Sequence, residues 1–347
     1  MTVWGRASRL VIMVTLGLAG CHDKPDQASR AGTAIPAVEP AGRTVIRQEP
    51  IEPLPESVAV DSALAALGEK LFHDARLSAD ATISCATCHD IAAGGEDGRA
   101  RSLGIGGKEG EINAPTVLNS GLGFAQFWDG RAETLEDQVD GPLLHRGELG
   151  STWEGVIARI GSDPAYREGF ARMFPDGLTA SNIKTAIAAF ERTLVTPDAR
   201  FDRWLRGDSG ALTATELKGY ELFKEAGCIT CHQGRNVGGN MFQRFGVMGD
   251  YFRDRGGVSK IDWGRFNVTG DEADRFVFKV PGLRNIEHTA PYFHDGSAKT
   301  LPDAVRTMAR YQLGQQLSDA ETESVVAFLK TLSGKLPERY RDKAGSQ

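Results

Sequence analysis

Two pentads carry the chemistry of this chain, Cys85-Ala-Thr-Cys88-His89 and Cys228-Ile-Thr-Cys231-His232. Two thiols one helical turn apart can each form a thioether with a vinyl group of one haem, and the adjacent imidazole then turns onto the iron. Zinc also binds CxxC pairs, but structural zinc pairs lie roughly 15–20 residues apart. Here most of a domain separates the pairs, and zinc leaves the His after each second Cys unexplained. The pentads therefore predict a c-type cytochrome with two covalently bound haem c groups. The sixth position on each iron then separates two roles. A strong ligand such as Met favours reversible electron transfer, while an open position admits peroxide or another small molecule.

The rest of the chain sets the context. Its 347 residues, 41% hydrophobic, are enough for about two packed domains. A formal charge of -6 with no Lys/Arg run argues against a nucleic-acid binder. The fifth cysteine, Cys21, closes a segment in which Arg6 and Arg9 precede an apolar run from Leu10 to Leu18. That run is too short to span a membrane and has the zones of an export signal. Its Leu18-Ala19-Gly20-Cys21 ending resembles a bacterial lipobox, which makes Cys21 a lipidated residue and a lipid anchor the chain's membrane contact; the alternative is an ordinary cleaved signal. Either way the chain is expected in the periplasm.

The elements that position the pentads read as mainly α, two cytochrome c-like haem domains in tandem with little β structure. Ile183, Ile187, Phe190 and Leu194 recur at helical spacing, and Thr213/Glu216 and Ser318/Glu321 are capping boxes ahead of helices. Residues 275–280 can form at most a small strand pair. The expected divisions are a signal over 1–21, a Pro-interrupted flexible tether over 22–57, haem domains over 58–194 and 195–336, and a tail over 337–347.

The chain resembles the bacterial di-haem cytochrome c peroxidases, whose superfamily includes the maturation enzymes of methylamine dehydrogenase. The resemblance rests on Leu67-Gly-Glu-Lys-Leu-Phe72, Asn113-Ala-Pro-Thr-Val-Leu-Asn119, Phe127-Trp-Asp-Gly-Arg-Ala132, Pro281-Gly-Leu-Arg-Asn285 and Pro291-Tyr-Phe-His294, besides the pentads, in the family's order. It implies that hydrogen peroxide is reduced at the His89 haem with electrons entering at a high-potential His232/Met308 haem. It also implies Trp128 on the electron path, Glu148 as acid/base and Gln138 orienting peroxide. A calcium ion held by Asn113, Thr289 and Pro291, a monohaem cytochrome c or cupredoxin as donor, and a homodimer follow from the same likeness. The maturation branch carries a Tyr where this chain has Met308. A di-haem electron carrier without turnover and a protein-modifying oxidase are the alternative functions.

One position departs from the pattern. Many members hold the peroxidatic haem with a second His from the loop after the first pentad, where this chain has Ile105 and no His between Asp90 and Asn113. His145, near Glu148, is the first candidate for a substitute ligand, whereas His73 and His288 read as structural.

Overall fold

The computed structural model describes residues 46–344, so the expected signal with Cys21 and the first part of the expected tether lie outside the described residues. Helices dominate, and each haem motif follows one. The helix Ser62–Phe72 opens where Asp61 accepts the N–H groups of Ala63 and Leu64, and it buries Leu67, Leu71 and Phe72. It crosses the helix Ala180–Arg192 at backbone contact: a Cβ on Gly68 would lie 1.8 Å from the Ala186 carbonyl oxygen. The second half repeats the device. The helix Ala214–Glu225 crosses Asp319–Lys330, and a Cβ on Gly219 would lie 1.9 Å from the Ser324 oxygen. Both capping boxes read from the sequence are formed.

Two hydrophobic clusters result, one around Phe72, Phe170 and Phe190, the other around Phe201, Tyr220 and Phe328. The expected strand pair is present. Phe242–Arg244 runs antiparallel to Val277–Lys279, with Phe242 opposite Lys279.

The internal repeat is finer than two pentads. Phe127-Trp-Asp-Gly-Arg-Ala-Glu-Thr-Leu135 and Phe293-His-Asp-Gly-Ser-Ala-Lys-Thr-Leu301 share one backbone course: Phe127 and Phe293 both have positive φ, and isolated bridges pair Gln126 with Ala132 and Tyr292 with Ala298. Thr134 and Thr300 then cap the following helices, each hydroxyl bonded to the Asp three residues on. In this register Trp128 corresponds to His294, Asn113 to Lys279, and Pro142 to Met308.

The repeats meet at a buried hub. The Thr196 hydroxyl accepts N–H groups from the side chains of Asn119 and Asn285, both at 2.9 Å, and the Asn119 oxygen accepts the Thr196 N–H. Both asparagines sit at φ 59, a left-handed conformation that Asn tolerates.

The chain ends differ from expectation. Residues 46–57, assigned to the flexible tether by their prolines, are docked on the second lobe: Ile51 and Leu54 are buried, and Arg284 donates to the Glu52 carbonyl. The expected tail forms a helix over Glu338–Ala344, with Tyr340 buried in the first lobe's cluster and bonded to Glu69. In each case a few large apolar side chains outweigh a polar, proline-rich composition.

Thr196→Val keeps the shape of the hub but strips the acceptor from two buried amide groups, each omission costing about 1–3 kcal/mol. The Tm of the haem-loaded protein should fall by at least about 4 °C. An unchanged Tm would show that the hub contributes nothing.

Candidate haem sites and the space between them

At the first pentad, residues Cys85–Cys88 form one helical turn and His89 closes it, its N–H bonded to the Cys85 carbonyl. At the second, Cys228–Thr230 form a tighter turn entered through Gly227 at φ 94. The four thiols are free of disulfides. His89 Nδ1 lies 3.1 Å from the Gly95 carbonyl oxygen and His232 Nδ1 lies 3.2 Å from that of Val237. A carbonyl only accepts, so each Nδ1 carries the proton and each Nε2 keeps its lone pair, the arrangement of a metal-ligating imidazole. Burial holds both rings neutral, pushing His232 down to about 4. Phe72 and Phe223 stand at matching places, 6.5 and 6.4 Å from the two imidazoles.

The second pentad opens onto a cavity of about 280 Å³ whose wall includes Cys228, Cys231, His232, Met308 and Trp128. Thioether-forming thiols, a neutral imidazole and a thioether in one largely apolar enclosure fit a haem with two axial ligands. Met308 is carried by the helix Leu301–Leu313, capped by Thr300.

The first lobe differs at the equivalent place. Pro142 stands in the repeat where Met308 stands, and its carbonyl accepts the Leu149 N–H at 3.0 Å, folding the His145–Gly150 loop back. Ile105 donates its N–H to the Glu148 carbonyl at 2.9 Å, and its Cδ1 would lie 2.4 Å from a Cβ on Gly150. Ile105 and Glu148 are therefore neighbours. The Glu148 side chain is 47% exposed, yet nearby protein raises its carboxyl above the ordinary range, with His145 at 3.3 Å and Arg131 offsetting part of the shift. His145 thus pairs with Glu148. Gln138 is half-buried, and its side chain makes no hydrogen bond among the described residues.

Between the lobes the two repeats exchange bonds. The Trp128 indole N–H donates to the Asn113 carbonyl at 2.9 Å. The Asn113 N–H donates to the His294 carbonyl at 2.8 Å, and the equivalent Lys279 N–H donates to the Trp128 carbonyl at 2.8 Å. Trp128 and His294 meet edge to face, 6.3 Å apart. Asn113, Thr289 and Pro291 lie on the same cavity wall; the Asn113 side-chain amide donates to the Arg99 carbonyl and the Thr289 hydroxyl to that of Ile286.

Sequence reasoning gave His294 no role, and the structure shows it at the end of a buried charge network. His294 Nε2 is 2.7 Å from Asp262 Oδ1, while Asp262 Oδ2 accepts from Arg255, the Ser259 N–H and the Ser259 hydroxyl. Arg255 also pairs with Asp295. The available signal was the alignment of Trp-Asp-Gly with His-Asp-Gly, which marks position 294 as the counterpart of Trp128.

Burial by itself would raise the Asp262 carboxyl, but the bonds from His294, Arg255 and Ser259 outweigh it and hold the group well below the usual carboxylate range. A depressed native pKa stabilises the fold above the unfolded-state value, about 4 for Asp, and that contribution is lost as pH falls below it. Asp262→Asn should therefore cost about 3 kcal/mol at pH 7. The Tm gap between the two proteins should narrow as pH drops below about 4. A gap independent of pH would contradict the assignment.

Comparison with known proteins places the chain. Residues 62–210 match the profile described as di-haem cytochrome c peroxidase, and residues 217–333 match cytochrome c. The cytochrome c peroxidase Ccp of Escherichia coli K12 is 49% identical over 298 residues, which are 86% of this chain and 64% of that protein, so the match spans less than two thirds of that relative's length. The cytochrome c551 peroxidase of Nitrosomonas europaea is 49% identical over 84% of this chain and 86% of its own. Among solved structures, a MauG-like protein associated with microbial copper homeostasis superposes with a TM-score of 0.72 at 29% identity, covering 84% of this chain and 96% of that one. With two haem c groups implied by both profiles, the chain belongs to the di-haem cytochrome c peroxidase family.

Proposed function

We propose that this protein reduces hydrogen peroxide to water, taking two electrons from a small cytochrome donor and two protons for each peroxide consumed. The observation that carries the reading is the broken symmetry of the repeat: one frame presents Met308 to its haem site and the other has Pro142, whose side chain has no donor atom to offer an iron. Haem bound at the two pentads supplies the iron redox chemistry. His232 and Met308 would hold the second haem, and the Met308 thioether would favour its reduced state and suit that site to electron entry. Trp128, on the wall of the second cavity and held by Asn113 and Lys279, carries the electrons from that site toward the other.

On the His89 side, Glu148 takes a proton from one peroxide oxygen and returns it to the leaving oxygen. A carboxyl raised above its ordinary range is better matched to both transfers near neutral pH. Gln138 orients the peroxide. Asn113, Thr289 and Pro291 supply oxygen donors suited to one calcium ion. The donor is a monohaem cytochrome c or a cupredoxin, the location is the periplasm with Cys21 as lipid anchor, and the protein works as a homodimer. No helix among the described residues is long and apolar enough to cross a membrane.

Glu148→Gln should lower peroxide turnover by about 10²–10⁴-fold while reduction of the His232 haem by donor is unchanged. Equal turnover would remove Glu148 from the mechanism. Because Ile105 replaces the expected distal His, electron paramagnetic resonance of the as-isolated diferric protein should show a high-spin component. A wholly low-spin spectrum would refute an open sixth position and turn attention to His145. Steady-state peroxide consumption with reduced cytochrome c separates a peroxidase from an electron carrier, which would show none.

A further inference from the structure

The second haem cavity is lined by a cation that has no ion-pair partner among the described residues. Lys279 ends the strand Val277–Lys279 and lines the cavity together with Cys228, Cys231, His232 and Met308. Among the described residues no carboxylate lies within ion-pair distance of its ammonium, and its side chain makes no hydrogen bond. Burial lowers it to about 8, with no nearby charge acting on it. The other cations on this wall are committed or exposed. Arg284 is engaged by Asp202 and by the carbonyls of Arg235 and Glu52, and Arg244 lies in solvent over the Phe276 ring. A half-buried ammonium facing an apolar enclosure costs desolvation free energy unless an anion arrives with the occupant.

Haem brings two propionate carboxylates. We infer that Lys279 is the cationic contact for a carboxylate of the haem held at Cys228, Cys231 and His232, on the side of the cavity next to Trp128. Three observations converge on it. Lys279 lines the same cavity as Cys228, Cys231, His232 and Met308. Its N–H is bonded to the Trp128 carbonyl, so the ammonium is carried by the backbone that also fixes the indole. Its counterpart in the first lobe is Asn113, a neutral residue, so the positive charge belongs to one of the two repeats.

The consequence is electrostatic. A fixed positive charge beside a haem favours the state with one more electron, and in a dry site it is weakly screened. Lys279 then acts with Met308 to keep the His232 haem the easier of the two to reduce. This rests on the electron-entry role proposed above for that haem.

The test is a spectroscopic redox titration of the full haem-loaded protein, with haem content measured on each sample. Lys279→Gln and Lys279→Met should each lower the reduction equilibrium constant of the His232 haem about tenfold, roughly 59 mV for one electron, and leave the His89 haem unmoved. Lys279→Arg should restore the wild-type value. Loss of the second haem from the Gln and Met variants but not from the Arg variant would equally support the contact. Midpoints equal to wild type in both uncharged variants, a parallel shift of both haems, or haem loss in all three variants would overturn it. Absence of peroxide turnover in the wild type would defeat the peroxidase reading while leaving the Lys279 result intact.

Discussion

One buried hydroxyl is bonded to both halves of this molecule. Thr196 sits where the chain passes from the first lobe to the second, and its oxygen accepts an amide N–H from an asparagine of each. Such a group is costly to bury unless satisfied, so the hub holds only when both lobes are in register. From there the symmetry propagates outward. Asn119 and Asn285 start equivalent turns, Phe127 and Phe293 adopt equivalent positive φ, and the reciprocal backbone bonds among Asn113, Trp128, Lys279 and His294 follow.

Function enters where the two copies disagree. Three substitutions within a common frame separate them: Met308 against Pro142, Lys279 against Asn113, His294 against Trp128. Each changes the chemistry at one place, a thioether, a charge or an aromatic ring, and around Trp128 and His294 the backbone course is shared. His294 cannot be replaced freely, because it is clamped by Asp262 and ringed by Phe278, Phe245 and Phe252. Its fixed ring lies edge to face with Trp128 and limits where the indole can lie.

Much of this was legible in the sequence because it is local. A CxxCH pentad needs one turn, and a capping box needs four residues, so both declare themselves wherever they occur. What escaped was non-local. Asp262 and Arg255 carry no motif, and their meaning appears only when residue 294 is brought beside them. The prolines before Ser57 suggested a tether, since composition does not register that Ile51 and Leu54 have a surface to bury against. Tyr340 in the tail misled in the same way. Gln138 and Glu148 were named together through family likeness, and the fold gives Glu148 defined neighbours in His145 and Ile105 while leaving the Gln138 side chain without a bonded partner among the described residues.

Each lobe is closed by the opposite end of the chain. Residues 46–57 cover the second lobe, and the helix at 338–344 covers the first. A chain that emerges from its N-terminus therefore exposes its first lobe with one wall missing until the last dozen residues arrive, although that lobe's cysteines appeared some 250 residues earlier. Ile51 thus stands ready for the second lobe's core from the start, whereas Tyr340 joins the first lobe's core only after both pentads have been made.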